Sequence, residues 1–139
     1  MSGVRRIFAM VAALSMGAAC TEDQHHPTTS DDRHGTVVLF LTTPHSDDGA
    51  VLFEVIGPAI DSATAVSPSI RLFTRRVGGS LSGALVGEVA SGAVVLLHLP
   101  DVESAGEYRA SVREVADRQD SLRASLTGYL LRVSPAPPL

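Results

Sequence analysis

About seven short apolar runs follow one another between Thr36 and Val133, each ended by Gly, Pro or a cluster of small polar residues. They occupy residues 36–42, 50–56, 70–77, 81–89, 93–99, 108–115 and 126–133. Runs this short, rich in Val, Ile, Leu and Thr, read as strands, and strands at this spacing argue for an all-β antiparallel sandwich. With no Trp, two Tyr and four Phe, the core between the sheets must be filled by aliphatic side chains.

The pattern within each run says where it sits. Thr36-Val37-Val38-Leu39-Phe40-Leu41-Thr42 is apolar on both faces and reads as a buried strand. In the next run Val51, Phe53 and Val55 share one face, and Glu54 marks the other as wet. The two are expected to pair as a hairpin through the polar turn Thr43-Pro44-His45-Ser46-Asp47-Asp48-Gly49, with Gly49 at positive φ. Residues 59–69 read as a loop holding one short edge strand. Ile70, Leu72 and Thr74 alternate with Arg71 and Arg75, giving a half-buried strand with a basic outer edge. Gly83 and Gly87 loosen the next run, and Ala93-Val94-Val95-Leu96-Leu97-His98-Leu99 is the most apolar of the set. Val112, Val115, Ala116, Gln119 and Leu122 fall at helical spacing, so a strand to Val115 followed by a helical turn to Leu122 is expected. Tyr129, Leu131 and Val133 share a face, and the tail Pro135-Ala136-Pro137-Pro138 is not expected to extend a sheet.

The amino terminus carries a different signal. Arg5-Arg6, the apolar run 7–16 and the small residues Gly17-Ala18-Ala19 have the layout of a cleaved export signal, and the apolar run is too short to span a bilayer. Residues 21–35 hold no apolar group to bury and read as a tether. The expected organisation is a signal peptide over 1–19, a lipid-anchored flexible tether over 20–35, a β-sandwich over 36–134 and a Pro-rich tail over 135–139. All 11 basic residues are Arg and they are scattered. The formal net charge of -4 becomes more negative once Arg5 and Arg6 are removed, which argues against a nucleic-acid partner.

Two resemblances add to this reading. Gly17-Ala18-Ala19-Cys20 resembles the lipobox of bacterial lipoproteins, apart from Gly17 where that family has Leu. The resemblance implies acylation of Cys20 and anchoring in a membrane, and Thr21 after it implies the outer membrane. The layout of leader, cysteine, tether and one β-domain is similar to that of small bacterial lipoproteins, and that likeness carries no activity with it. Separately, the segment from Leu97 to Ala110, with Gly106-Glu107-Tyr108 opening a strand after an acidic turn, resembles the corner between the fifth and sixth strands of immunoglobulin-like and fibronectin type III-like domains. That resemblance implies an immunoglobulin-like sandwich in which Tyr108 buries its ring and bonds its hydroxyl back to the turn's own backbone. Ala110 stands where an antibody domain has its second cysteine, and with no Trp an antibody-type domain is excluded.

Chemistry is suggested at one place. His45, Asp47 and Asp48 are residue types that hold metals or form a carboxylate–histidine pair, but one loop supplies fewer ligands than a zinc or calcium site requires. Turn formation accounts for the same residues. His25, His26 and His34 in the tether could bind zinc weakly, His98 reads as a partly exposed sheet histidine, and Arg71, Arg75 and Arg76 with Arg109 or Arg113 could form a basic patch for an anionic glycan or lipid headgroup. No nucleophile elbow or phosphate loop is present in the sequence. The expectation is a non-enzymatic, exported lipoprotein with no cofactor, attached to the membrane through Cys20, that binds or scaffolds an envelope protein or glycan. The alternatives are a secreted carbohydrate-binding module and a small metal-dependent hydrolase built on His45, Asp47 and Asp48.

Overall fold

A computed structural model describes residues 33–137. The signal peptide, Cys20, His25, His26 and the tether as far as residue 32 lie outside the described residues, as do Pro138 and Leu139. Eight strands follow in order: β1 Gly35–Thr42, β2 Asp48–Ile56, β3 Ser62–Ala65, β4 Ile70–Val77, β5 Ser80–Gly87, β6 Gly92–Leu99, β7 Arg109–Asp117 and β8 Leu130–Pro135. A 3-10 helix over Val102–Glu107 joins β6 to β7. The strands form two four-stranded antiparallel sheets, ordered β3-β6-β1-β8 and β4-β5-β2-β7. The expected all-β sandwich is therefore present, with the short edge strand β3 as its eighth member.

Period-two alternation builds the core. Val37, Leu39 and Leu41 of β1 and Val95, Leu97 and Leu99 of β6 face Val51, Phe53 and Val55 of β2 and Leu81 and Leu85 of β5, and all are buried. Antiparallel sheets stack about 10 Å apart, so these two rows fill the space between them. The sandwich stands on aliphatic packing with one large aromatic, Phe53, at its middle. Val38 is also buried, on the outer side of β1, in keeping with the double-sided apolar pattern of that strand.

Several sequence expectations are corrected. β1 and β2 do not pair; they lie in different sheets, and residues 43–47 carry the chain from one layer to the other. Both strands bury an entire apolar row, and two rows facing each other across the interior remove more surface from water than a single two-stranded ribbon could. Gly49 does not have positive φ. A Cβ on it would lie 2.9 Å from the backbone of Asp117 and Arg118, so glycine is required there for close approach of β7. The helical turn over 117–122 is also absent. β7 runs to Asp117, whose carboxylate Oδ1 accepts the N–H groups of Gln119 and Ser121, both at 2.9 Å, and Asp120 turns the chain at φ 64°. The last strand begins at Leu130 rather than Leu126, because Leu126 to Tyr129 form a turn closed by a 3.1 Å bond from the Tyr129 N–H to the Leu126 carbonyl. At the domain limits, Gly35 pairs with Leu99 and Pro135 with Val37, one residue beyond the expected boundary at each end.

The two-sheet architecture is compatible with an immunoglobulin-like fold, and the passage from β6 to β7 crosses between sheets as the resemblance implies. β8 departs from that scheme. It lies beside β1, in the opposite sheet from β7, whereas the last immunoglobulin strand joins the sheet of its predecessor.

Candidate functional site

The turn that joins β1 to β2 ends in the one fully buried charged side chain among the described residues, Asp48. Its position follows from the pleat: Asp48 opens β2 two residues ahead of Ala50, and an irregularity in the pairing with β7 turns its side chain inward. Burial of a carboxylate is costly unless it is paired and hydrogen-bonded. Arg123 supplies the pair, donating from Nε at 3.1 Å and from Nη2 at 2.8 Å to Oδ1. The Tyr129 hydroxyl, 2.9 and 3.0 Å from the two carboxylate oxygens, donates between them, and Thr43 Oγ1 donates to Oδ2 at 2.5 Å. Every lone-pair direction that matters is occupied.

Asp47 closes the same cluster from outside. Its Oδ1 accepts Arg123 Nη2 at 2.6 Å, and its backbone carbonyl accepts the Arg118 N–H at 3.0 Å. The Arg123 hydrogen bond holds the Asp47 carboxyl below its ordinary range, and the two carboxylates raise the guanidinium further above its own. Burial is the main reason the Tyr129 phenol is pushed up. The arrangement is a tripod that pins the β1–β2 turn to the β7–β8 connection. Arg123 is held there by its N–H to the Val115 carbonyl, 2.8 Å, and Tyr129 by the turn before β8.

The third member of the expected constellation stands apart. His45 is exposed and its ring lies 6.0 Å from that of Tyr129, tilted by 34°, while its N–H donates to Thr43 Oγ1 at 3.0 Å. The loop connects β1 to β2, but the cap is the Thr43 hydroxyl on the His45 N–H rather than an Asp, and both Asp side chains are committed to a cation the chain itself provides. Among the described residues no group of three or more His, Cys, Asp or Glu is arranged to hold a metal ion.

Sequence reading missed Arg123 and Tyr129 as partners, because they lie 75 and 81 positions from Asp48. A signal was available. The connection from β7 to β8 holds two arginines, Arg118 and Arg123, and an aspartate stands directly before an alternating apolar strand, so an Asp–Arg pair could have been listed although the sequence does not say which Arg makes it.

Tyr108 buries its ring in the core as the corner resemblance implies, and burial raises its phenol. Its hydroxyl corrects the expectation: it donates to the Ala59 carbonyl at 2.5 Å, not to its own turn. That turn is already served by Asp101, whose carboxylate accepts the Glu103 N–H at 3.0 Å and the Ser104 hydroxyl at 3.1 Å. The ring instead packs against Gly57, where a Cβ would lie 2.6 Å from it, and this aims the hydroxyl at the segment following β2. Gly106 has no neighbour within 4 Å of a Cβ position, and its carbonyl accepts Arg109 Nη1 at 2.6 Å.

The remaining candidates scatter. His34 lies 3.4 Å from an Asp61 carboxylate oxygen, and His98 shares a 3.2 Å contact with Thr36 Oγ1. The basic residues do not gather into one patch. Arg76 turns toward the loop before β3 and donates to the Ile60 and Asp61 carbonyls, and Arg113 pairs with Glu54. Arg109 and Arg113 lie on β7, three strands away from β4, which is about 14 Å at the usual strand spacing. Arg71 and Arg75 remain on the outer face of β4.

That face holds the largest grouping of exposed apolar side chains. Leu52, Ile56, Phe73, Val77 and Val86 are each 42–58% exposed, and alternation places all five on the outer surface of the β4-β5-β2-β7 sheet. Comparison of the chain with protein-family models, with curated proteins and with solved structures found no match.

Proposed function

We propose that this chain is a non-enzymatic binding or scaffolding domain, exported and held at the cell envelope through a lipid on Cys20. The observation that carries the binding reading is the outer face of the β4-β5-β2-β7 sheet, where five large apolar side chains stand in water next to Arg71 and Arg75. The polar row Arg75-Ser82-Glu54 crosses this face, with Leu52, Phe73 and Val86 on one side and Ile56 and Val77 on the other, and exposed apolar groups bordered by polar ones are a feature of interaction sites. The anchoring reading rests on the export signal and the Cys20 motif in the sequence. Two or more acyl chains would hold the chain durably at a bilayer.

The hydrolase alternative draws less support, since Asp47 and Asp48 neutralise Arg123 and could take a metal only by giving up that pair. The sugar-binding alternative also draws less, since Tyr108 and Tyr129 both point their hydroxyls into the fold. Mass spectrometry of the mature amino terminus, with fractionation of the producing cell, tests the anchor: acylated Cys20 in the membrane fraction is the expected result, and an unmodified thiol refutes it. Cross-linking in the intact envelope tests the binding role, and recovery of no partner above background counts against it.

A further inference from the structure

The outer strand of this face has features that specify a partner. β4 is eight residues long and among the described strands pairs only with β5, so beyond Ile70, whose N–H is taken by the Ser67 carbonyl at 3.2 Å, its other edge offers main-chain N–H and C=O groups. An edge this long and this exposed is a template for one more strand. Its outward side chains are Arg71, Phe73, Arg75 and Val77. Neither Arg71 nor Arg75 has a carboxylate partner among the described residues, although Arg113 on the far strand does.

Beside Phe73 the surface is hollow. Phe73 and Leu52 flank Ala84 in one cross-strand row, and the small residue between them leaves an open trough of about 220 Å³ rimmed by Arg75. The trough has the size for one apolar side chain. A second copy of the chain is a poor occupant: joined edge to edge about Phe73, two β4 strands would set Arg71 against Arg75 twice, and like charges directly opposite are destabilising.

We infer that β4 accepts an extended acidic peptide as an added antiparallel strand, its outward residues reading acidic-x-apolar-x-acidic. Residues directly opposite in such a pair share a face, so the two acids meet Arg71 and Arg75 and the apolar side chain packs against Phe73 over the trough. Main-chain bonds supply affinity and this triplet supplies selection. The inference rests on the binding-domain reading above and names its surface and partner class.

The test is an arrayed library of random octapeptides probed with the whole exported chain. The expected binders carry the acidic-x-apolar-x-acidic pattern, and their affinity falls at least tenfold for Arg75→Glu and for Phe73→Ser. Arg132→Glu, on β8 of the other sheet, leaves binding unchanged. Because Arg75 and Phe73 are exposed, circular dichroism is expected to show all three variants folded, and peptide binding is expected to slow amide exchange along β4. Absence of binders, binders without the pattern, equal binding by Arg75→Glu, dimerisation through β4, or binding to phosphatidylglycerol vesicles in place of peptides each overturns the inference. If the Arg71→Glu/Arg75→Glu variant still captures the same cross-linked envelope partner as the wild type, this surface is wrong while the binding role stands. Capture of nothing by the wild type refutes the binding role itself.

Discussion

Gly83 of β5 lies directly opposite Phe53 of β2, and a Cβ on Gly83 would come within 2.2 Å of the Phe53 ring. The glycine is the space that lets the Phe53 ring, the largest fully buried side chain among the described residues, lie across the neighbouring strand. In a core made mostly of Val, Leu and Ile, that pairing lets the Phe53 ring occupy the inner face above β5 without displacing the strand.

Gly83→Ala is therefore expected to destabilise the fold by about 1–3 kcal/mol, the usual cost of overpacking a filled interior. Combining it with Phe53→Leu should recover part of the loss, since the ring that clashes is gone. Urea unfolding of the two single variants and the double variant measures the coupling. Additive losses would show that the ring and the glycine are independent.

The Asp48–Arg123 pair is expected to be asymmetric under mutation. Asp48 is fully buried, while the Arg123 side chain is 16% exposed and keeps Asp47 as a partner. Arg123→Ala leaves a buried carboxylate with hydroxyl partners alone and should cost toward the upper end of about 3–5 kcal/mol, with Asp48→Ala toward the lower end. Replacing both by apolar residues should recover at least half of either loss. Chemical denaturation settles the order, and an Asp48→Ala loss larger than that of Arg123→Ala would contradict it.

The two tyrosine hydroxyls should differ in the same way. Tyr129→Phe removes a donor to a buried carboxylate, worth about 1.5–3 kcal/mol, whereas Tyr108→Phe frees the carbonyl of exposed Ala59, which water can reach, and should cost about 1 kcal/mol. Thermal unfolding of the two variants side by side compares them. Equal shifts in Tm would mean that the buried charge adds nothing to the Tyr129 bond.

Stability should fall at both extremes of pH. Asp47 and Glu54 titrate below their ordinary values of 3.8 and 4.5, chiefly because Arg123 and Arg113 hydrogen-bond to them. The unfolded chain binds more protons in that range, so the stability these groups contribute is present above their ordinary values and lost as pH drops through the lowered ones. Tyr108 and Tyr129 titrate above 10.0, mainly through burial, so their contribution is present below that value and lost as pH rises through the raised ones. The urea midpoint followed against pH is expected to be flat near neutrality and to decline below about pH 4 and above about pH 10. A midpoint that rises on acidification would reverse the sign assigned to Asp47 and Glu54.

Much of the sandwich is written in local pattern. Val51, Phe53 and Val55 alternate with polar or exposed neighbours, and a period of two can bury one face only as a strand. The basic outer edge of β4 was readable for this reason, the burial of β1 from its apolar residues on both faces, and the inward ring of Tyr108 from the corner resemblance. That residues 43–48 form a connection was readable as well, since Pro and small polar residues stand there between two apolar runs.

What the tertiary structure alone decided is which distant groups meet. Local pattern says that β1 is buried and which face of β2 is, but not whether the strands lie side by side or across from each other, and the fold sets them in different sheets. Gly49 reads as a turn glycine until β7 is seen passing against it. Asp48 reads as a surface turn residue until Arg123 and Tyr129, 75 and 81 positions away, arrive to neutralise and hydrogen-bond it. Side-chain periodicity is a property of neighbours in the chain, while ion pairing and close backbone approach are properties of neighbours in space, and only folding brings the second kind together.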